Sequence, residues 1–195
     1  MSLSRPSRRS RRSAGAALAA VGAVALLLSG CTGGAPAPSP SPTADASEPI
    51  FASDEEALAA AVEAYELYRV ISGEIFEEGG VEPERINPVV TETFASTLRE
   101  EFTALEDLGL RSVGTTVVDT TSLVNLAVVD GRAEVSIYLC RDVSGTRIFD
   151  GTGSDVTPAD RPLRVPSQAF FVSSDDDVRT LLVDGVEEWS GEDFC

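Results

Sequence analysis

With 195 residues, 43% of them hydrophobic and 24% charged, the chain has the composition of one globular domain with flanking segments, not of two domains or a disordered polymer. All 15 basic residues are arginine and five precede Cys31, where no Asp or Glu occurs; the remainder sets ten arginines against 32 acidic residues, a formal charge of −22 that argues against nucleic acid as a partner and against docking on anionic lipid through a basic patch. The absence of histidine and lysine removes Ser-His-Asp and Cys-His catalysis, imidazole zinc sites and the lysine of a P-loop, so Asp, Glu, Tyr, Arg and hydroxyls are the groups left to do chemistry.

The chain opens arginine-rich over residues 5–12, continues as a small apolar run over 14–28 and then reads Leu28-Ser29-Gly30-Cys31. These are the three regions of a secretion signal, and the run is too short for a spanning helix, which needs about 20 apolar residues. Leu28-Ser29-Gly30-Cys31 resembles the lipobox of bacterial lipoproteins. That resemblance implies a signal peptide over 1–30, cleavage between Gly30 and Cys31, and diacylglycerol on the Cys31 thiol. The mature chain is then lipid-anchored in the bilayer on the extracytoplasmic face of the cell membrane, since two acyl chains at about 0.8 kcal/mol per buried methylene hold stably where one would not. Two Arg-Arg pairs leave the general and the twin-arginine export routes both open. Residues 31–50, rich in Pro, Ser and Ala, carry no apolar period and read as a semi-extended, structureless linker.

The extracytoplasmic domain is expected over 51–195. Ser53-Asp-Glu-Glu56 has the form of a capping box, and Leu58, Ala61, Val62, Tyr65, Tyr68 and Ile71 recur at three- and four-residue steps, which predicts a helix of about five turns. Gly73 or the Gly79-Gly80 pair is expected to end it. A short helix is predicted from Pro83, limited by Pro88, and a third over about Thr91–Leu108, with Phe94, Leu98, Phe102 and Leu105 on one face and Gly109 as its stop.

Beyond Gly114 the sequence turns β-branched and its helical period disappears. Leu126–Cys140 predicts a hairpin about Asp130-Gly131, with Ala133, Val135, Ile137 and Leu139 on one face of the second arm and Glu134, Ser136, Tyr138 and Cys140 on the other. A second hairpin is expected between Ser167–Val172 and Val178–Val183, turning through Ser173–Asp177, with residues 150–166 as a long connection. Cys140 and Cys195, the cysteines left after Cys31, are expected to form a disulfide in an exported chain; a reactive thiol or a metal site lacks the residues to support it. Asp150–Asp155 and Asp175-Asp176-Asp177 crowd oxygen ligands but lack the spacing of a calcium loop and read as solvated turns. No cofactor and no metal ion is expected.

Helices followed by antiparallel strands predict an α+β domain, its N-terminal helices packed on a curved antiparallel sheet. This order is similar to the cone-shaped nuclear-transport-factor-2-like superfamily, and the segments Glu56–Tyr68 and Tyr138–Gly145 resemble small actinobacterial lipoproteins. The superfamily includes isomerases that use an aspartate base with tyrosine and protonated aspartic acid donors in an apolar cavity. The resemblance implies a cone cavity that Tyr138 and Asp142 could reach, and dimers through the sheet face. It assigns no catalytic residue. Tyr65 and Tyr68 fall on the buried helical stripe, where core packing is the default role. The expectation is a non-enzymatic module that binds a small apolar ligand or an envelope protein, either as a monomer or as a homodimer. The alternative is an isomerase or dehydratase that works with Asp and Tyr in the cavity. The cavity separates them, because an enzyme requires a carboxylate of raised pKa facing a hydroxyl donor.

Overall fold

Helix α1 (Asp54–Glu77) begins where its sequence can satisfy its own first amides: Ser53 Oγ accepts from the Glu56 amide at 3.2 Å, and the Glu56 carboxylate accepts from the Ala52 amide at 2.6 Å. The computed structural model describes residues 49–195; the signal segment 1–30, Cys31 and the spacer up to residue 48 lie outside the described residues. The helix runs through Gly73 and stops before Gly79 and Gly80, whose φ of 78° and 91° are left-handed and end the helical ladder. Its buried face is centred on Ala57, Ala61, Ala64, Tyr65, Ser72 and Ile75, with Leu58, Val62, Tyr68 and Ile71 partly buried beside it. The small residues at the centre of the stripe let the helix lie close against the strands it crosses.

A 3₁₀ segment (Pro83–Val89) buries Ile86 fully, and α2 (Glu92–Asp107) follows, with Thr91 Oγ1 accepting from the Phe94 amide at 3.3 Å. Ala95, Leu98 and Phe102 are its buried residues, and Gly109, at φ 64°, ends it as expected.

Six strands follow: β1 (Arg111–Val113), β2 (Val117–Val129), β3 (Arg132–Asp142), β4 (Arg147–Phe149), β5 (Arg164–Ser173) and β6 (Leu181–Glu188). The main sheet is antiparallel throughout, in the order β2-β3-β5-β6, while β1 and β4 pair as a separate two-stranded ribbon. The ribbon escaped the sequence because three-residue strands are too short to show alternation. The β2–β3 turn has Asp130 at φ 51° and Gly131 at φ 81°, the paired positive angles of a type I′ hairpin. The β5–β6 turn differs from the expectation. Asp177 accepts from the Arg179 amide at 3.0 Å and from the Thr180 hydroxyl at 3.3 Å, so residues 178–180 belong to the turn and the second arm is Leu181–Glu188. Arg132 holds this turn from the neighbouring hairpin, donating to the Ser173 carbonyl and, at 2.6 Å, to Asp175.

Ala133, Val135, Ile137 and Leu139 are buried beneath α1 and α2 together with Ala169, Phe171 and Val183, which makes the domain α+β with its helices on one face of the sheet. Register shifts between Asp119 and Ser122, between Leu123 and Asn125, and between Phe170 and Phe171 bend the strands without closing the sheet. The segment before α2 covers the β6 edge, with the Thr91 amide donating to the Val183 carbonyl at 2.9 Å. On the outer face Cys140 is bonded to Cys195, Cα atoms 5.6 Å apart, which fastens the C-terminal tail over Tyr138.

Candidate functional site

Tyr65, Tyr68 and Ser72 follow one another at three- and four-residue steps along α1, on the side that faces the strands. Along this side, near the end of the sheet, lies an open cleft of about 430 Å³. Its other wall comes from Gly114–Thr116 between β1 and β2, from Arg141 at the end of β3, and from Thr146. This volume falls within the range of small-molecule sites.

Tyr65 is only 3% exposed, and its ring packs among Val62, Val118, Ile137 and Leu139 with no space left for a water molecule. Among the described residues nothing hydrogen-bonds its hydroxyl, which ends at the cleft. Burial pushes the Tyr65 pKa up to about 12, against the opposing pull of the Arg141 charge. Tyr68, edge-on to Tyr65 at 5.6 Å between ring centroids, is pushed up chiefly by burial and then by Tyr65 itself.

Arg141 continues the inner-face series two residues beyond Leu139, so the alternation that buries Val135, Ile137 and Leu139 also turns this guanidinium inward. Its Nε donates to the Oγ of fully buried Ser167 at 2.9 Å, which fixes the plane of the group. Among the described residues its terminal nitrogens make no hydrogen bond, and the exposed Glu188 carboxylate stands 3.9 Å away. The other arginine in the wall, Arg69, is occupied by Glu66 at 2.6 Å. Glu74 and Glu77 line the rim and are exposed. The carboxylates with shifted acidity are Glu55, Glu56, Asp119, Asp142, Asp150 and Asp155; all are lowered, and none lines the cleft.

Tyr138 and Asp142 are not brought together. Tyr138 lies on the outer face, 4.8 Å from the Trp189 ring and 5.1 Å from that of Phe194, beside a shallow groove with Thr120 and Ser122. Asp142 accepts from the Ser144 amide at 2.9 Å and faces Arg164 at 3.6 Å; the hydrogen bonds from Ser144, more than the arginine charge, hold its carboxyl below the usual range. The residues that do converge are Tyr65 and Tyr68, whose rings pack as the helical stripe implied while their hydroxyls reach the cleft, together with Arg141. The alternation on β3 carried the signal for Arg141. Asp150 and Asp177 each cap a tight turn, and among the described residues no group of three His, Cys, Asp or Glu is placed to hold a metal ion.

The raised phenol fixes an alkaline behaviour. Folding holds Tyr65 protonated above the ordinary phenol range, so the folded state binds more protons than the unfolded state between about pH 10 and 12. The stability it contributes is complete below about pH 10 and is lost as pH rises through about 12. Denaturant melts at stepped pH should therefore fall steeply above pH 10, and Tyr65→Phe should flatten that limb; an unchanged limb in the variant would refute the assignment.

No protein-family model and no curated protein matches the chain. Among solved structures it is similar to the intermembrane space region of the chloroplast protein ARC6, at a TM-score of 0.50 and 13% identity over 69% of this chain and 97% of that one. At that identity the likeness concerns the fold alone. A de novo β-sheet design protein is also similar, at 14% identity over 73% of this chain and 94% of its own, but its TM-score of 0.27 carries no argument. Among the described residues no helix is long and apolar enough to cross a membrane.

Proposed function

We propose that the chain is an extracytoplasmic lipoprotein, anchored through Cys31, whose nuclear-transport-factor-2-like domain is a binding module for a small molecule taken up in the cleft between α1 and the end of the sheet. The address rests on the order of arginine-rich segment, apolar run and lipobox, and on a linker long enough to hold the domain clear of the bilayer. The helices-then-sheet order and the open antiparallel sheet support the superfamily.

The observation that carries the binding reading is the make-up of the cleft: a buried phenol with an unused hydroxyl and an oriented guanidinium, with no buried carboxylate beside them among the described residues. Proton abstraction of the isomerase kind needs a carboxylate whose surroundings raise its pKa, and the shifted carboxylates are all displaced the other way. The cleft is thus furnished for recognition by hydrogen bonds and charge.

Native mass spectrometry of the full chain, extracted from its own membranes without reductant, should give the lipid-bearing mass plus a stoichiometric small molecule; a mass without that addition would count against the module. Cys31→Ala should move the protein from the membrane to the soluble fraction almost completely. Its retention on membranes would sink the anchor.

A further inference from the structure

We propose that the cleft selects a small organic acid carrying a single negative charge, held through its carboxylate by Arg141 with the Tyr65 and Tyr68 hydroxyls as further donors. The assignment deepens the binding-module reading and rests on it.

The donor set is one-sided. Arg141 spends its Nε on Ser167, and its terminal nitrogens make no hydrogen bond among the described residues, one of them standing 3.9 Å from exposed Glu188; together they form a planar fork that can hold a carboxylate in two parallel hydrogen bonds. Tyr65, though only 3% exposed, has no hydrogen-bond partner among the described residues, so its hydroxyl offers a donor at the open cleft. A phenol that stays protonated to about pH 12 remains a donor across all physiological conditions. Thr116 lies on the opposite wall, whereas the Thr146 hydroxyl is occupied, donating to the Val143 carbonyl at 2.9 Å and accepting from Arg161 at 3.0 Å.

The charge count sets the size of the anion. Every charged group facing the cleft is accounted for: Arg141, Arg69 already paired with Glu66, Glu74 and Glu77 on the rim, and Glu188 at 3.9 Å from Arg141. Glu188, Glu74 and Glu77 outnumber Arg141, the one guanidinium not closely paired, so the site admits at most one negative charge on its ligand. A monoanion balances that group, whereas a doubly charged phosphate ester would leave one charge facing the rim carboxylates. Tyr68, with Phe76 and Val70 along the wall, gives the organic body an apolar surface to lie against.

The test uses the full chain in detergent with its disulfide intact, titrated calorimetrically at pH 7 with benzoate, phenylacetate, hexanoate and decanoate, each against its primary amide. At least one acid should bind about tenfold or more tightly than its amide, the step expected of a charge-assisted hydrogen bond. Arg141→Gln should bring that acid down to its amide while leaving the amide unchanged, and Tyr65→Phe should weaken the acid several-fold. The comparison of acid with amide is made on the unaltered chain, so it stands even if Arg141→Gln fails to fold. Equal binding of acid and amide, binding by none of the acids, or a neutral or cationic molecule recovered with the native protein would each overturn the assignment. In the last case the binding module survives; it falls too if no compound binds and the native mass carries no addition.

Discussion

Cys195→Ser should cost about 3 to 4 kcal/mol of stability, the scale expected for opening a loop that spans a sequence separation of 55 residues. The bridge joins the interior of β3 to the last residue of the chain, and the tail it holds is attached by little else: the Trp189 amide donates to the Pro166 carbonyl at 2.8 Å, and Trp189 and Phe194 pack on Tyr138. Once the bond is gone, the entropy of a free terminus competes directly with these contacts. Trp189 is the chain's one tryptophan, so its emission should shift to the red as it leaves Tyr138, before the domain itself unfolds. Cys140→Ser should cost roughly 1 kcal/mol more, because Cys140 is wholly buried and its replacement leaves a hydroxyl to satisfy inside the sheet, whereas Cys195 is exposed. Denaturant titrations of the two variants and of the reduced parent decide the matter. Midpoints that coincide with the oxidised parent would show that the clasp contributes nothing.

Two glycines on the same stretch of chain should respond to alanine in opposite directions. Gly80→Ala should be among the most damaging single substitutions in the domain, costing on the order of 3 kcal/mol. Its φ is 91°, and a Cβ there would stand 2.1 Å from the Phe102 carbonyl oxygen, a backbone atom of α2 that cannot swing aside. The turn out of α1 therefore packs against α2 through a gap that only glycine fits, and Phe102, fully buried, is the side chain whose seat would move. Gly73, by contrast, lies inside α1 with nothing within 4 Å of an added Cβ. Gly73→Ala should stabilise by about 0.5 to 1 kcal/mol, the ordinary difference in helix propensity. Thermal melts of both variants read the contrast directly. A destabilised Gly73→Ala or a neutral Gly80→Ala would contradict the packing described.

The same pair shows how far local signals reach. Both glycines were candidates to end α1, and the sequence offers no ground for choosing between them. The helix runs on to Glu77 because Gly73 can be accommodated in a helix at small cost, while Gly79 and Gly80 combine a positive φ with close approach to the backbone of Leu110 and Phe102, residues distant in the chain. The β5–β6 turn repeats the lesson: its length is set by the Asp177 side chain and by Arg132 reaching across from the other hairpin, and neither leaves a trace in hydrophobic alternation.

What the sequence determined by itself are the features governed by neighbours in the chain: the cap at Ser53, the short helix at Pro83, the stop at Gly109, the Asp130-Gly131 hairpin, the buried face of β3 and, by exclusion of histidine and lysine, the range of chemistry open to the molecule. The α+β class follows from their order. What only the tertiary structure decided is which residues of unlike segments share a space. Tyr138 and Asp142 look like pocket residues in the sequence; Tyr138 lines the outer groove beside the disulfide-bound tail, while Asp142 is held by Ser144 and Arg164 and lines neither that groove nor the cleft. Tyr65 and Tyr68 meet Arg141, more than seventy residues further along the chain, at one cleft between α1 and the strands. Periodicity reports which face a side chain lies on; where that face stops being covered depends on strand length, bulges and the path of the chain on the far side.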